Sequence, residues 1–182
     1  MQLFLLLLSL VSFGSACRAE ALGAAYARAF RFELQSIIDV HPRYAWGGAE
    51  NEKSGLDCSG YLYLAARRAG FPVRRTTARR MARGEGGWIG HPVARDRLKL
   101  LDLVFWTFQE RRTNGHVGAV WRTPKRGMQG DPRRVPGKGP VEKPFAQVTH
   151  ASSRRGVVVD PLTGRLSEKH TKTIRLTIGD KR

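Results

Sequence analysis

Three observations predict an α+β fold, with helices packed on one side of an antiparallel sheet. Apolar residues recur at helical spacing near the start of the chain, through Leu22, Tyr26, Phe30, Leu34 and Ile37-Ile38. A second helical stretch follows from Cys58. The strand candidates all lie after Leu98, and helices followed by strands is the order of an α+β chain rather than of alternating βαβ units. At 182 residues the chain is one domain with room for a substantial core, and no internal repeat is visible.

The first helix is expected over about Glu20 to Val40, with Arg28, Arg31 and Glu33 on its other faces, and His41-Pro42 ends it. Tyr44-Ala45-Trp46-Gly47-Gly48 is a turn-rich entry, and Ala49 to Gly55 a polar loop. The second helix is expected over Cys58 to Ala69, stopped by Gly70 and Pro72. Arg74 to Gly90 is basic and reads as irregular. Strands are expected over Leu98 to Phe108, His116 to Trp121, Phe145 to Ala151 and Gly156 to Asp160. Pro161-Leu162-Thr163-Gly164 reads as a turn, and Thr171 to Ile178 alternates as a last strand. The segment 122–144 is rich in Gly and Pro and carries seven basic residues against two acidic ones. It reads as a basic loop insertion too polar to bury much surface.

Composition bounds the partners. Thirty-two Lys and Arg against fifteen Asp and Glu give a net charge of +17. Such a surface attracts polyanions: nucleic acid, anionic lipid or the acidic polymers of a cell wall. The basic residues are not interleaved with aromatics in a nucleic-acid recognition motif, so no specific nucleic-acid binding is expected.

Residues 1–21 read as an export signal. Leu3 to Val11 is almost continuously apolar, too short for an ordinary membrane span, and small residues follow at Gly14, Ser15 and Ala16. Ala19-Glu20-Ala21 fits a cut between small residues. Gly14-Ser15-Ala16-Cys17 is a poor version of a lipoprotein signal ending before Cys17. The expected product is an exported protein of the periplasm, cell wall or medium, comprising residues 22–182 and tethered to a membrane only if Cys17 is lipidated. Of the two cysteines, Cys58 would then be left without a disulfide partner. Its neighbours Asp57, Ser59 and Gly60 are small or polar, which argues against a merely buried structural thiol.

These residues carry a chemistry. A thiol at a helix N-terminus gains roughly 0.3–1 kcal/mol for its anion, up to about 2 in a partly buried site, and a nearby imidazole can take its proton. His116, within Gly115-His116-Val117-Gly118, is the candidate general base. His150, within His150-Ala151-Ser152-Ser153, would hold the His116 ring and fix its tautomer. A hairpin of the two strands would set both imidazoles on one face. Asp57 either caps the helix or faces a bound amine, and the Cys58 backbone N–H is a natural oxyanion donor. His41, His91 and His170 sit in turn or exposed contexts and read as structural. No metal or cofactor is required.

Tyr44 to Gly48, Asp57-Cys58-Ser59-Gly60, Leu103-Val104-Phe105-Trp106, Gly115 to Gly118, and His150 to Ser153 with Gly156-Val157 together resemble the successive motifs of the NlpC family of bacterial cell-wall cysteine peptidases. The resemblance runs from about Ala24 to Ile178, in order. It implies a papain-like core with the nucleophile at a helix N-terminus, and cleavage of peptidoglycan stem peptides, commonly between D-glutamate and meso-diaminopimelate. It implies Cys58 as nucleophile, His116 as base and His150 as the third polar residue, with Tyr44, Asp57 and Ser59 lining the substrate site. Two departures stand out. Leu100-Leu101-Asp102 replaces the usual Pro-Gly-Asp before the Leu-Val-Phe-Trp strand, and the connection from His116 to His150 is unusually long. The expected partners are stem peptides and anionic wall polymers, and the expected state is a monomer. The alternatives are an amidase or acyltransferase with the same thiol chemistry, or a non-catalytic cationic wall-binding module.

Overall fold

The computed structural model describes residues 23–106, 115–123, 146–162 and 170–177. The expected export signal and the basic segment after Thr123 therefore lie outside the described residues. Helix α1 covers residues 23–40, and its stripe of Phe30, Leu34 and Ile37 is fully buried. The helix ends as His41-Pro42 requires. His41 turns to a left-handed φ of 52°, its N–H reaches back to the carbonyls of Ile37 and Ile38, and Pro42 offers no donor with which to continue. Helix α2 spans Cys58–Arg68 and buries Tyr61, Leu62, Leu64, Ala65 and Ala66.

The stretch after α2 is more ordered than the sequence suggested. A short helix α3, Ala78–Met81, starts at Thr77, whose hydroxyl accepts the Arg80 N–H. A 3-10 turn follows at Glu85–Gly87, where Glu85 pairs with both Arg80 and Arg83. Strand β1, Gly90–Pro92, comes next and places His91 in a strand, exposed to solvent. These pieces are too short to show a hydrophobic period, which is why sequence patterning reads them as irregular.

Five further strands follow: β2 Leu103–Trp106, β3 His116–Arg122, β4 Gln147–Ser152, β5 Gly156–Pro161 and β6 His170–Leu176. With β1 they form one sheet in the order β1-β6-β2-β3-β4-β5, with neighbouring strands antiparallel throughout. The strand expected from Leu98 begins only at Leu103. Residues Arg95–Arg97 form a 3-10 turn, and Leu101 holds a φ of 69° that breaks extended structure. That is the position where the resembled family carries Gly, so the turn survives the substitution at the cost of a left-handed leucine. Buried Asp102 anchors this turn, accepting from the Lys99 N–H at 2.8 Å and from the Arg175 guanidinium of β6 at 2.8 Å. Pro161 closes β5 rather than opening a turn, and Thr163 and Gly164 lie outside the described residues.

Alternation along the strands builds two apolar layers. Leu103, Phe105, Val117, Ala119, Trp121, Ala151, Val157 and Ile174 face the helices and join their buried side chains in the main core. Val104, Trp106, Val120, Val148 and Leu162 form a smaller cluster on the opposite face. One polar contact sets the helices against the sheet: the Tyr61 hydroxyl of α2 meets the Thr149 hydroxyl of β4 at 2.9 Å and the Leu34 carbonyl of α1 at 3.4 Å. The fold class is the expected one, α+β with helices packed against an antiparallel sheet and Cys58 at a helix N-terminus.

Candidate active site

The segment before α2 is folded onto the first turn of that helix. Tyr44 and Leu56 form a single parallel bridge, and the Asp57 N–H donates to the Gly48 carbonyl at 3.0 Å. The two backbones approach so closely that a Cβ on Gly60 would lie 1.9 Å from the Gly48 oxygen. Only glycine fits at Gly60, and this contact holds the Tyr44–Gly48 turn beside Cys58.

Asp57 is the hub of this corner. It is the N-cap of α2, and its Oδ1 accepts the Gly60 N–H at 2.6 Å and the Ser59 hydroxyl at 2.9 Å. Oδ2 accepts the Gly47 N–H at 3.0 Å and the Arg75 guanidinium at 2.6 Å. Arg75 also donates to Ser59 Oγ at 2.8 Å and to the Thr76 carbonyl. The carboxylate thus receives four hydrogen bonds from the protein itself, which fill its lone pairs. Of the two roles considered for Asp57, the structure displays the cap. An incoming amine would have to displace Arg75 or a backbone donor.

Cys58 is a free, buried cysteine at the first position of α2. Burial, then the Asp57 carboxylate, pushes its thiol up to about 11. Backbone N–H groups of Val117 and Ser59, and the Arg75 charge, pull the other way. The Val117 contact brings the sulfur to the start of β3, one residue from His116. Tyr44 is half-buried, and its hydroxyl is pushed up to about 12 by burial and by the nearby Cys58 and Asp57, so it remains a neutral donor.

His116 and His150 occupy adjacent strands on the face of the sheet that carries Trp106. His116 Nε2 and His150 Nδ1 are 2.8 Å apart, their rings meet edge to face at a centroid distance of 4.9 Å, and Trp106 packs on both. Register explains the contact. Ala119 pairs with Thr149 and Val120 with Val148, which sets Gly118 opposite His150 and His116 on the diagonal. A Cβ on Gly118 would lie 2.7 Å from the Thr149 oxygen, 3.0 Å from the His150 Cβ and 3.2 Å from Trp106. The missing side chain lets the His150 ring lie across β3 to reach His116. Burial drives the His116 ring down to about 3, aided by the charge of His150. His150 is also lowered, again first by burial, with Asp160 opposing. The resting pair at neutral pH is therefore two neutral imidazoles.

Two residues of this corner escaped sequence analysis. Asp160 of β5 accepts from His150, Nε2 to Oδ2 at 3.0 Å, and is itself clamped by Arg155. Burial acts to raise the Asp160 carboxyl, but Arg155 and His150 outweigh it and hold it below the usual range. The hairpin register would have flagged it, because Val148 pairs with Asp160 and His150 with Val158, so Asp160 shares the face of His150. Arg75 lay in a basic run where nothing set it apart from its neighbours. Of the residues singled out beforehand, the structure gathers Tyr44, Asp57, Cys58 and Ser59 around α2 and joins His116 to His150. His41 ends α1 and His91 lies on edge strand β1. Among the described residues, no group of three or more His, Cys, Asp or Glu side chains is arranged to hold a metal ion.

Comparison with known proteins bears on family and fold. The family model described as the NlpC/P60 family matches residues 41–176. Similar solved structures include an NlpC/P60 family protein from Bacillus cereus ATCC 10987, at 20% identity and a TM-score of 0.51, covering 79% of this chain and 40% of that one. A protein described as similar to lipoprotein, NLP/P60 family, from Staphylococcus aureus subsp. aureus Mu50 matches at 19% identity and a TM-score of 0.52, covering 81% and 42%. The chain therefore spans about two fifths of the length of these structures, and at this identity the likeness is one of fold. Comparison with the curated proteins returns no match.

Proposed function

The chain belongs to the NlpC/P60 family, and from that premise we propose that it is a peptidoglycan endopeptidase that hydrolyses stem-peptide bonds through a Cys58-His116-His150 thiol mechanism. Members of this family are typically cysteine peptidases that act on the cell wall. The observation that carries the reading is the hydrogen-bonded imidazole pair at the start of β3, where the Cys58 sulfur meets the Val117 N–H.

In this reading His116 takes the Cys58 proton as the sulfur attacks the scissile carbonyl. The Cys58 backbone N–H, at the start of α2, stabilises the oxyanion. His116 then gives the proton to the leaving amine, and a thioester to Cys58 remains. Water, activated by the same ring, hydrolyses it. His150 orients His116 throughout. Burial favours the neutral thiol and the neutral imidazole at rest. The bond proposed is D-glutamyl–meso-diaminopimelate, which follows the family's common preference. The surface charge of +17 suits adhesion to anionic wall polymers, and the apolar N-terminal run suits export, with Cys17 as the candidate anchor.

Cys58→Ala is expected to abolish release of soluble peptides from purified sacculi while leaving the fold intact; retained release rules out the nucleophile. Mass spectrometry of a digest of defined muropeptides separates endopeptidase from amidase or transferase products. Adhesion to sacculi without any product would instead identify a cationic binding module. His116→Ala should cost more rate than His150→Ala, and the reverse order contradicts the assigned roles.

A further inference from the structure

Three strands carry a diagonal line of polar side chains: His116 on β3, His150 on β4 and Asp160 on β5. His116 Nε2 to His150 Nδ1 is 2.8 Å and His150 Nε2 to Asp160 Oδ2 is 3.0 Å. His150 is only 5% exposed, so its ring has little water with which to exchange partners. Arg155, on the β4–β5 hairpin, grips both Asp160 oxygens. We propose that Asp160 is a positioning residue that sets, through His150, which nitrogen of His116 carries the proton.

The argument is a chain of donors and acceptors. An ionised carboxylate only accepts, and the Arg155 clamp keeps Asp160 ionised at neutral pH. His150 must therefore carry its proton on Nε2. A neutral imidazole has one donor and one acceptor, so His150 Nδ1 accepts. His116 then donates from Nε2, and its lone pair falls on Nδ1, the nitrogen through which a proton would be exchanged with a thiol. One negative charge two hydrogen bonds away thus decides whether His116 is competent as a base. Nothing in this chain of tautomers requires a substrate; only its consequence for rate rests on the peptidase reading.

The logic makes an unusual demand on substitutions. In Asp160→Asn, Arg155 still donates to the amide oxygen, so the amide NH2 turns to His150 Nε2. His150 must then accept there and carry its proton on Nδ1, which forces His116 to accept at Nε2 and protonate Nδ1. The base is blocked. In Asp160→Ala the carboxylate's bias is removed and no amide imposes the opposite one, so the productive tautomer stays populated. The closer mimic should be the worse enzyme.

The test uses the full chain, and two-bond proton–nitrogen NMR correlations on the histidine rings read the tautomers directly. The wild type should show Nε2–H for both His150 and His116, and Asp160→Asn should show Nδ1–H for both. On muropeptides, Asp160→Asn should lose about 10³–10⁴-fold in kcat/KM, as expected for a wrong tautomer, and Asp160→Ala should lose less. An Nδ1–H tautomer of His150 in the wild type overturns the proposal, whether or not any variant folds. An Asn variant as active as the Ala variant, or more so, overturns it too. A wild type with the Nε2–H pair but no cleavage of any muropeptide would instead sink the peptidase reading and leave the tautomer assignment standing.

Discussion

Asp57→Asn should make the protein less stable and its thiol more reactive at the same time. The carboxylate is 11% exposed and its partner Arg75 29%, with 2.6 Å between them. Removing one partner of a fully buried pair costs about 3–5 kcal/mol. Water still reaches the guanidinium here, which screens the loss toward roughly 2 kcal/mol. The amide keeps an oxygen for Gly60 N–H and Ser59, so the helix cap survives, but its NH2 now faces Arg75 and the Gly47 N–H. For a domain of this size, 2 kcal/mol corresponds to a Tm lower by about 4–8 °C. The sulfur responds in the opposite sense. After burial, the Asp57 charge is the next cause holding the Cys58 thiol up near 11. Without it, the thiolate fraction at pH 7 rises about tenfold for each unit the thiol falls. A less basic thiolate is a weaker nucleophile, so the alkylation rate rises about threefold per unit. The assay is the rate of iodoacetamide modification of Cys58, followed by mass spectrometry at pH 7 and well below the melting range. Ser59→Ala is the control: it removes a hydrogen bond to Asp57 but leaves the charge, so it should destabilise without speeding alkylation. Unchanged or slower alkylation of folded Asp57→Asn would show that the carboxylate is not felt at the sulfur.

Gly118→Ala forces a methyl against the Thr149 oxygen, the His150 Cβ and Trp106. It should cost about 1–3 kcal/mol by overpacking and lower muropeptide cleavage by more than that loss of stability explains, because β4 must withdraw His150 from His116; full activity at full Tm would contradict the packing account. Stability should fall as pH drops from about 6.5 toward 3, since His116 titrates near 3 in the fold and 6.5 outside it, so the unfolded chain binds the proton first. It should also fall as pH rises from 9 toward 11, because the unfolded thiol loses its proton before the buried one does. Tm measured across pH reads both limbs: His116→Ala should flatten the acid one and Cys58→Ala the alkaline one. A profile unmoved by either substitution would show that these groups are not what titrates.

Much of this architecture could be read from residue patterns, and the exceptions have a common cause. Helix α1 announced itself because burial of Phe30, Leu34 and Ile37 imposes a period, and α2 because Gly70 and Pro72 stop it. Strand β6 alternates, whereas β3 and β4, buried on both faces, read as strands from their short apolar and β-branched runs. By contrast β1 has three residues, and its ladder exists because β6 lies beside it. Helix α3 and the turn at Glu85 rest on a single cap and on ion pairs between neighbours, which leave no periodic trace. The same division runs through the site. Cys58, His116 and His150 stood out because their flanking glycines and polar residues are unusual for core positions. Asp160 and Arg75 matter only through partners 10 and 18 residues away, His150 and Asp57. Such pairings become visible once strand register and backbone path are known.

The position of β6 governs how this molecule can be made. Last of the described strands in the chain, it lies between β1 and β2 in the sheet, and its Arg175 holds the turn that launches β2. A nascent polypeptide still held upstream of His170 therefore has an open flank on β2, with β1 left detached. Closure waits until β6 has been made and can slide in between its two earlier neighbours. Through that interval the bare β2 flank is the place where a second unfinished copy would pair by mistake.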